Sequence, residues 1–121
     1  MKVEIPVSTA GTAGTATGAA SVAVPLCELV ALYIDYHASA PATTDVTISA
    51  PGNPAAQTPL TVSNSATDGW YYPRRIADGL TGAALSTHAP YVVHGGVLAV
   101  SVAQSDALTD CVTVTAFLRP L

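Results

Sequence analysis

The last third of the chain alternates in a way that only a half-buried strand accommodates. Leu98, Val100 and Val102 stand against Val97, Ala99, Ser101 and Ala103. After a polar loop of Gln104 to Asp110, Val112, Val114, Ala116 and Leu118 stand against Thr113, Thr115 and Phe117. Successive side chains of a strand point to opposite faces, so period two puts every second residue in a core. The two runs read as a terminal hairpin. Asp45 to Ala50 repeats the pattern, with Val46, Ile48 and Ala50 inward and Thr47 and Ser49 outward, before the turn Pro51-Gly52-Asn53-Pro54.

Earlier segments extend the same reading. Lys2 to Val7, Pro59 to Ser63 (Leu60 and Val62 on one face) and Tyr91 to Val93 are short strands. Leu26 to His37 fits two descriptions. As a strand it places Glu28, Val30, Leu32, Ile34 and Tyr36 on one face and Cys27, Leu29, Ala31, Tyr33 and Asp35 on the other; Leu26, Leu29, Val30, Tyr33 and Ile34 also follow helical spacing. Aromatic and β-branched residues in its second half and the Ala40-Pro41-Ala42 turn favour the strand. Half of the 121 residues are hydrophobic but only 6% are aromatic, so the core consists mainly of small and β-branched side chains. Nine Pro and nine Gly supply turns. The chain is expected to be one all-β domain over residues 1–121, an antiparallel β-sandwich of jelly-roll or Ig-like type with about 7–8 strands. Ser8 to Ala20 has no bulky apolar residue and is expected to be a flexible or assembly-ordered arm or loop. Asp78 to Leu85 reads as a turn-rich segment, either a short helix or an irregular loop.

Large side chains concentrate in one place. Trp70, Tyr71, Tyr72, Pro73, Arg74 and Arg75 hold the only Trp, two of five Tyr and two of four cations. Trp, Tyr and Arg dominate binding surfaces because each joins a broad apolar area to a polar end. One sheet face cannot bury three consecutive aromatics, so Trp70, Tyr71, Tyr72, Arg74 and Arg75 are the candidate protein-interface residues.

Other chemistries lack support in the sequence. A net charge of −4 argues against direct nucleic-acid binding by bulk electrostatics. With 10% charged residues, the surface suits a protein packed against neighbours. The longest apolar stretch, Ala19 to Ile34, is broken by Pro25 and Glu28 and is too short to cross a bilayer, so no membrane partner is expected, and no secretory signal is visible. His37, His88 and His94, with Asp35, lack metal-ligand spacing, no Ser sits in a nucleophile elbow, and the acids are scattered. No catalytic site, metal or cofactor is predicted. Cys27 and Cys111 read as buried thiols, or as a disulfide if their strands are neighbours.

Tyr33 to Ile48 resembles a segment of small structural proteins encoded among the head genes of tailed bacteriophages. Trp70 to Arg74, Thr81 to Leu85 and the terminal Val-rich pair resemble the second half of the same group, and Ser8 to Ala20 lies outside the resemblance. It implies a virion component on the outer capsid surface, a decoration or cement protein. Such a protein binds the major capsid protein, commonly as a homotrimer, and holds the mature head together. The alternative is a carbohydrate-binding or receptor-binding module on the virion or tail. In that reading Trp70 and Tyr72 stack on a sugar beside Asp68 or Arg74, although Trp70 to Pro73 alone offers few hydrogen-bonding groups.

Overall fold

A computed structural model describes residues 1–121 as an all-β fold of eleven strands. They are β1 (Lys2–Val7), β2 (Ala16–Ala23), β3 (Cys27–Tyr36), β4 (Asp45–Ala50), β5 (Gln57–Val62), β6 (Gly69–Tyr71), β7 (Arg75–Asp78), β8 (Ala84–Ala89), β9 (Tyr91–Val93), β10 (Val97–Ser105) and β11 (Val112–Pro120). One sheet runs β1-β11-β3-β6, with β9 also on β3, and the second runs β2-β10-β4-β5. Every pairing is antiparallel. The expected β-sandwich is therefore present, and the strands beyond the predicted seven or eight are mostly short. Its core cluster is built from Val, Leu, Ile, Ala and Cys, with Tyr36 as the one aromatic member.

Three expectations change. β10 and β11 are not a hairpin: β10 pairs with β2 and β4, whereas β11 pairs with β1 and β3. Alternation fixes which face of a strand is apolar, and both strands turn that face to the shared core from opposite sheets. Neither predicted face assignment of β3 holds along its whole length. Opposite β11 the register passes from Phe117↔Ala31 to Leu118↔Leu29, so Val30 is an extra residue, a β-bulge. Cys27 and Leu29 point inward before it and Leu32, Ile34 and Tyr36 after it. Finally, Ala16 to Ala20 belongs to β2, and the preceding loop is tied down. Thr9 N donates to Leu108 O (3.0 Å), Asp110 N to Ser8 Oγ (3.0 Å) and Gly14 N to the Asp106 carboxylate (2.9 Å). Small residues are needed here for contact, since a Cβ on Gly18 would collide with the Ser8 carbonyl.

Cys27 and Cys111 are free and buried at opposite ends of the β3–β11 ladder. Cys27 lies opposite Pro120, nine residues along the chain from Cys111, which at about 3.4 Å per strand residue is far beyond disulfide reach. Cys111 ends a buried hydrogen-bond chain. Thr44 Oγ1 donates to Pro41 O (2.7 Å), so Ser105 Oγ donates to Thr44 (3.0 Å) and the Cys111 thiol to Ser105 (3.2 Å).

Asn53 clasps the two sheets together. Its Oδ1 accepts from His94 N (3.1 Å) and Gly95 N (3.0 Å), while Nδ2 donates to Gln57 Oε1 (2.9 Å) and Val92 O (3.2 Å). Gly52 and Gly95 meet backbone to backbone beside it, and a Cβ on Gly95 would strike the Gly52 main chain. Asn53 is buried, so Asn53→Ala strands two amide donors and is expected to cost about 2–4 kcal/mol, read as a lower midpoint in urea.

Burial raises the pKa of the Cys27 thiol above its ordinary 9.0. It does the same to the Tyr36 phenol above 10.0; nearby Ser65 opposes the shift, but its geometry leaves Tyr36 Oη without a hydrogen-bond partner. A raised folded-state value means the native state keeps its proton after the unfolded chain has lost it. These groups therefore favour folding fully below about pH 9, and that contribution falls as pH rises through the folded-state values. Thermal melts should lose midpoint progressively above that pH, with Tyr36→Phe removing the part that begins near pH 10.

Candidate functional site

The bulge decides which side chains of β3 face solvent. Beyond it, Tyr33 and Asp35 point out, and Ala31 lies on the outer face as well. Cross-strand registers then line up Glu4↔Thr115, Thr115↔Tyr33 and Tyr33↔Trp70, a continuous row over β1, β11, β3 and β6. Three strand spacings of about 4.8 Å make that row about 14 Å long. The adjoining row contains Lys2↔Phe117 and Phe117↔Ala31.

Trp70 is the hub. Its ring lies 5.1 Å from Tyr33 at 61°, 5.3 Å from Phe117 at 35° and 6.4 Å from Tyr72 at 12°, centroid to centroid. Phe117 is two strands away, with only the small Ala31 between, so the indole leans across the sheet to reach it. Ala31 is buried although it lies on the outer face. The near-parallel Trp70 and Tyr72 rings are offset and remain 53% and 61% exposed. Glycine at 69 precedes this hub, and buried Pro73 terminates it.

Trp70, Tyr33, Phe117, Thr115, Lys2 and Glu4 line a shallow depression of about 440 Å³. Lys2 Nζ stands 3.7 Å from Glu4 Oε1 at its rim, both well exposed. The floor is a rigid sheet. Met1 is fixed at the edge by its ammonium group donating to Leu118 O (3.0 Å) and by Leu118 N donating to Met1 O (2.8 Å). The arrangement offers flat aromatic area, one carboxylate acceptor, one ammonium donor and the hydroxyls of Thr115 and Tyr33, without a second carboxylate among its lining groups.

The structure divides the five sequence-predicted residues. Trp70 and Tyr72 share the outer face. Tyr71 points the other way and packs against the core. The Arg74 guanidinium donates to Val30 O (3.1 Å) and Pro73 O (2.8 Å), satisfying a carbonyl at the bulge. Arg75 begins β7, away from the depression. Lys2, Glu4, Tyr33, Thr115 and Phe117 enter the site from strands distant in sequence. The available signal was phase: Phe117 and Tyr33 are aromatics among the polar positions of their strands. Asp68 is committed elsewhere, accepting from Tyr36 N (2.7 Å). No group of three or more His, Cys, Asp or Glu is placed to hold a metal, and His37, His88 and His94 stand on separate segments.

No protein-family model and no curated protein matches the chain. Among solved structures it is similar to TmCBM61 in complex with β-1,4-galactotriose, at 8% identity and TM-score 0.38, covering 95% of this chain and 70% of that one. It is also similar to a variant of CBM29-2, a family 29 carbohydrate-binding module, at 11% identity and TM-score 0.38, covering 99% and 77%. At these values the likeness assigns neither a ligand nor a site to this chain.

Proposed function

We propose that the chain is a non-catalytic carbohydrate-binding module whose ligand lies along the Glu4-Thr115-Tyr33-Trp70 row. The observation that carries this reading is the convergence of Lys2, Glu4 and Thr115 on the aromatic cluster. Sugar rings present apolar C–H faces and a belt of hydroxyls, so a receptor needs both a flat aromatic surface and fixed hydrogen-bonding groups. The Trp70 to Pro73 segment alone lacks the second part, and the sheet supplies it from β1 and β11. A row about 14 Å long accommodates a short oligosaccharide rather than a single sugar. The single carboxylate in the depression supports binding over glycoside hydrolysis, which uses two.

A glycan array probed with the purified protein is expected to yield at least one oligosaccharide ligand. Trp70→Ala should weaken that ligand at least tenfold, about 1.4 kcal/mol, while the far-ultraviolet circular dichroism of the folded sheet stays unchanged. An array without any binder would remove this reading.

One feature supports a second reading, the capsid decoration protein that binds the major capsid protein as a homotrimer on the virion surface. β7 and β8 form their own two-stranded sheet, a projection suited to bridging neighbours in a lattice. Co-sedimentation with shells lacking the protein tests it: stoichiometric rebinding is expected, and absence of rebinding counts against it.

A further inference from the structure

β3 takes its outer neighbour in two pieces. β6 pairs with Leu32 to Ile34 and β9 with Cys27 to Leu29, so Val30 and Ala31 have no strand partner on that side. The bulge explains the break. Leu29 and Leu32 are three residues apart yet both fully buried, whereas side chains three apart on a regular strand point to opposite faces. One continuous neighbour, paired residue for residue, would turn either Tyr71 or Tyr91 outward; in two pieces, both pack against the core.

The break falls beside the paired rings of Trp70 and Tyr72. Trp70 is held by its pairing opposite Tyr33 and by the Tyr33 and Phe117 rings. Tyr72 stands just past the paired stretch of β6, and its ring partner is Trp70, at 12°. Its orientation therefore depends on how the main chain is fixed beyond Tyr71.

Residues 72–90 run out into the β7–β8 hairpin, which pairs only with itself. Across that excursion a single hydrogen bond ties the chain to the rest of the fold: Arg74 Nη1 donates to Val30 O (3.1 Å). The same nitrogen donates to Pro73 O (2.8 Å), so one guanidinium bridges the bulge and the residue that follows Tyr72. Pro73 is buried there and has no N–H of its own to offer β3. Arg74 takes part in neither ion pair of the fold, which leaves its charge directed at these two carbonyls.

We infer that Arg74 is the positioning residue of the aromatic platform: it stands in for the missing edge strand at Val30 and so holds the Tyr72 ring along Trp70. This role rests on the carbohydrate reading for what the platform binds, whereas the positioning is a property of the free protein. NMR of the purified full chain tests the positioning. Tyr72 ring resonances are expected to be displaced from those of an unstructured tyrosine by the Trp70 ring current, and Trp70→Ala should abolish the displacement. Arg74→Ala should lose most of it while the methyl resonances of Leu29, Leu32 and Ile34 stay in place, since Arg74 is exposed and outside the core. A wild-type displacement in Arg74→Ala would overturn the inference. So would core methyl shifts as large as the change at Tyr72, which would make Arg74 a general support of the fold. Binding tests the consequence on an oligosaccharide found by the array. Arg74→Ala and Tyr72→Ala should each weaken it, and the double variant should bind no more weakly than Tyr72→Ala alone, because Arg74 acts through Tyr72. Losses that add would overturn the indirect role. An array without a binder removes the carbohydrate reading, and the NMR result then decides the positioning by itself.

Discussion

The sheet that carries the aromatic face is hung on the ladder between β3 and β11. Nine residue pairs join them, from Val112↔Tyr36 to Pro120↔Cys27. β1 adds to the free side of β11, and β6 and β9 add to different stretches of β3. The bulge at Val30 divides that ladder into two phases. Without it, one half of β3 would present Leu and Ile to water and Tyr33 to the core. The same extra residue leaves a carbonyl that Arg74 satisfies, so the irregularity and the chain leaving the aromatic segment are stabilised together.

Much of the architecture can be read directly from residue type. The alternations at 45–50, 97–103 and 112–118 each become a strand with the expected inward set, because burial of small β-branched side chains on one face is a local property of the sequence. Pairing is not. Nothing in Val97 to Leu118 distinguishes a hairpin from two strands facing each other across a core, and the loop of Gln104 to Asp110 serves either. The bulge is likewise silent in composition, since Val30 and Ala31 are ordinary strand residues. The aromatic segment was legible as a place, but its role divides by phase: Trp70 and Tyr72 outward, Tyr71 inward. Four of the six residues lining the depression come from β1 and β11, whose contribution depends on registers that no local pattern carries.

The small-residue composition that marks this sequence serves three separate purposes. In the core, Val, Ala, Ile and Leu fill a thin sandwich. At Gly18, Gly52 and Gly95 the absent Cβ lets one backbone lie against another, closing the ends of the sheets. At Ala31 the small side chain leaves room for Trp70 to reach Phe117. The few large side chains are then free for the surface, where they form the aromatic depression and the projecting hairpin.

The distribution of aromatic rings makes the molecule an unusual optical object. Its only indole stands half in water at the centre of the depression, and the core holds one phenol and nothing brighter. Tryptophan emission from this protein therefore reports the state of one surface site. Heating to the unfolded chain parts the indole from Tyr33, Phe117 and Tyr72 and completes its exposure, whereas any molecule laid over Trp70 moves it the opposite way, out of water. The chain thus carries a built-in spectroscopic gauge in which occupancy and loss of the fold drive the same indole in opposite directions.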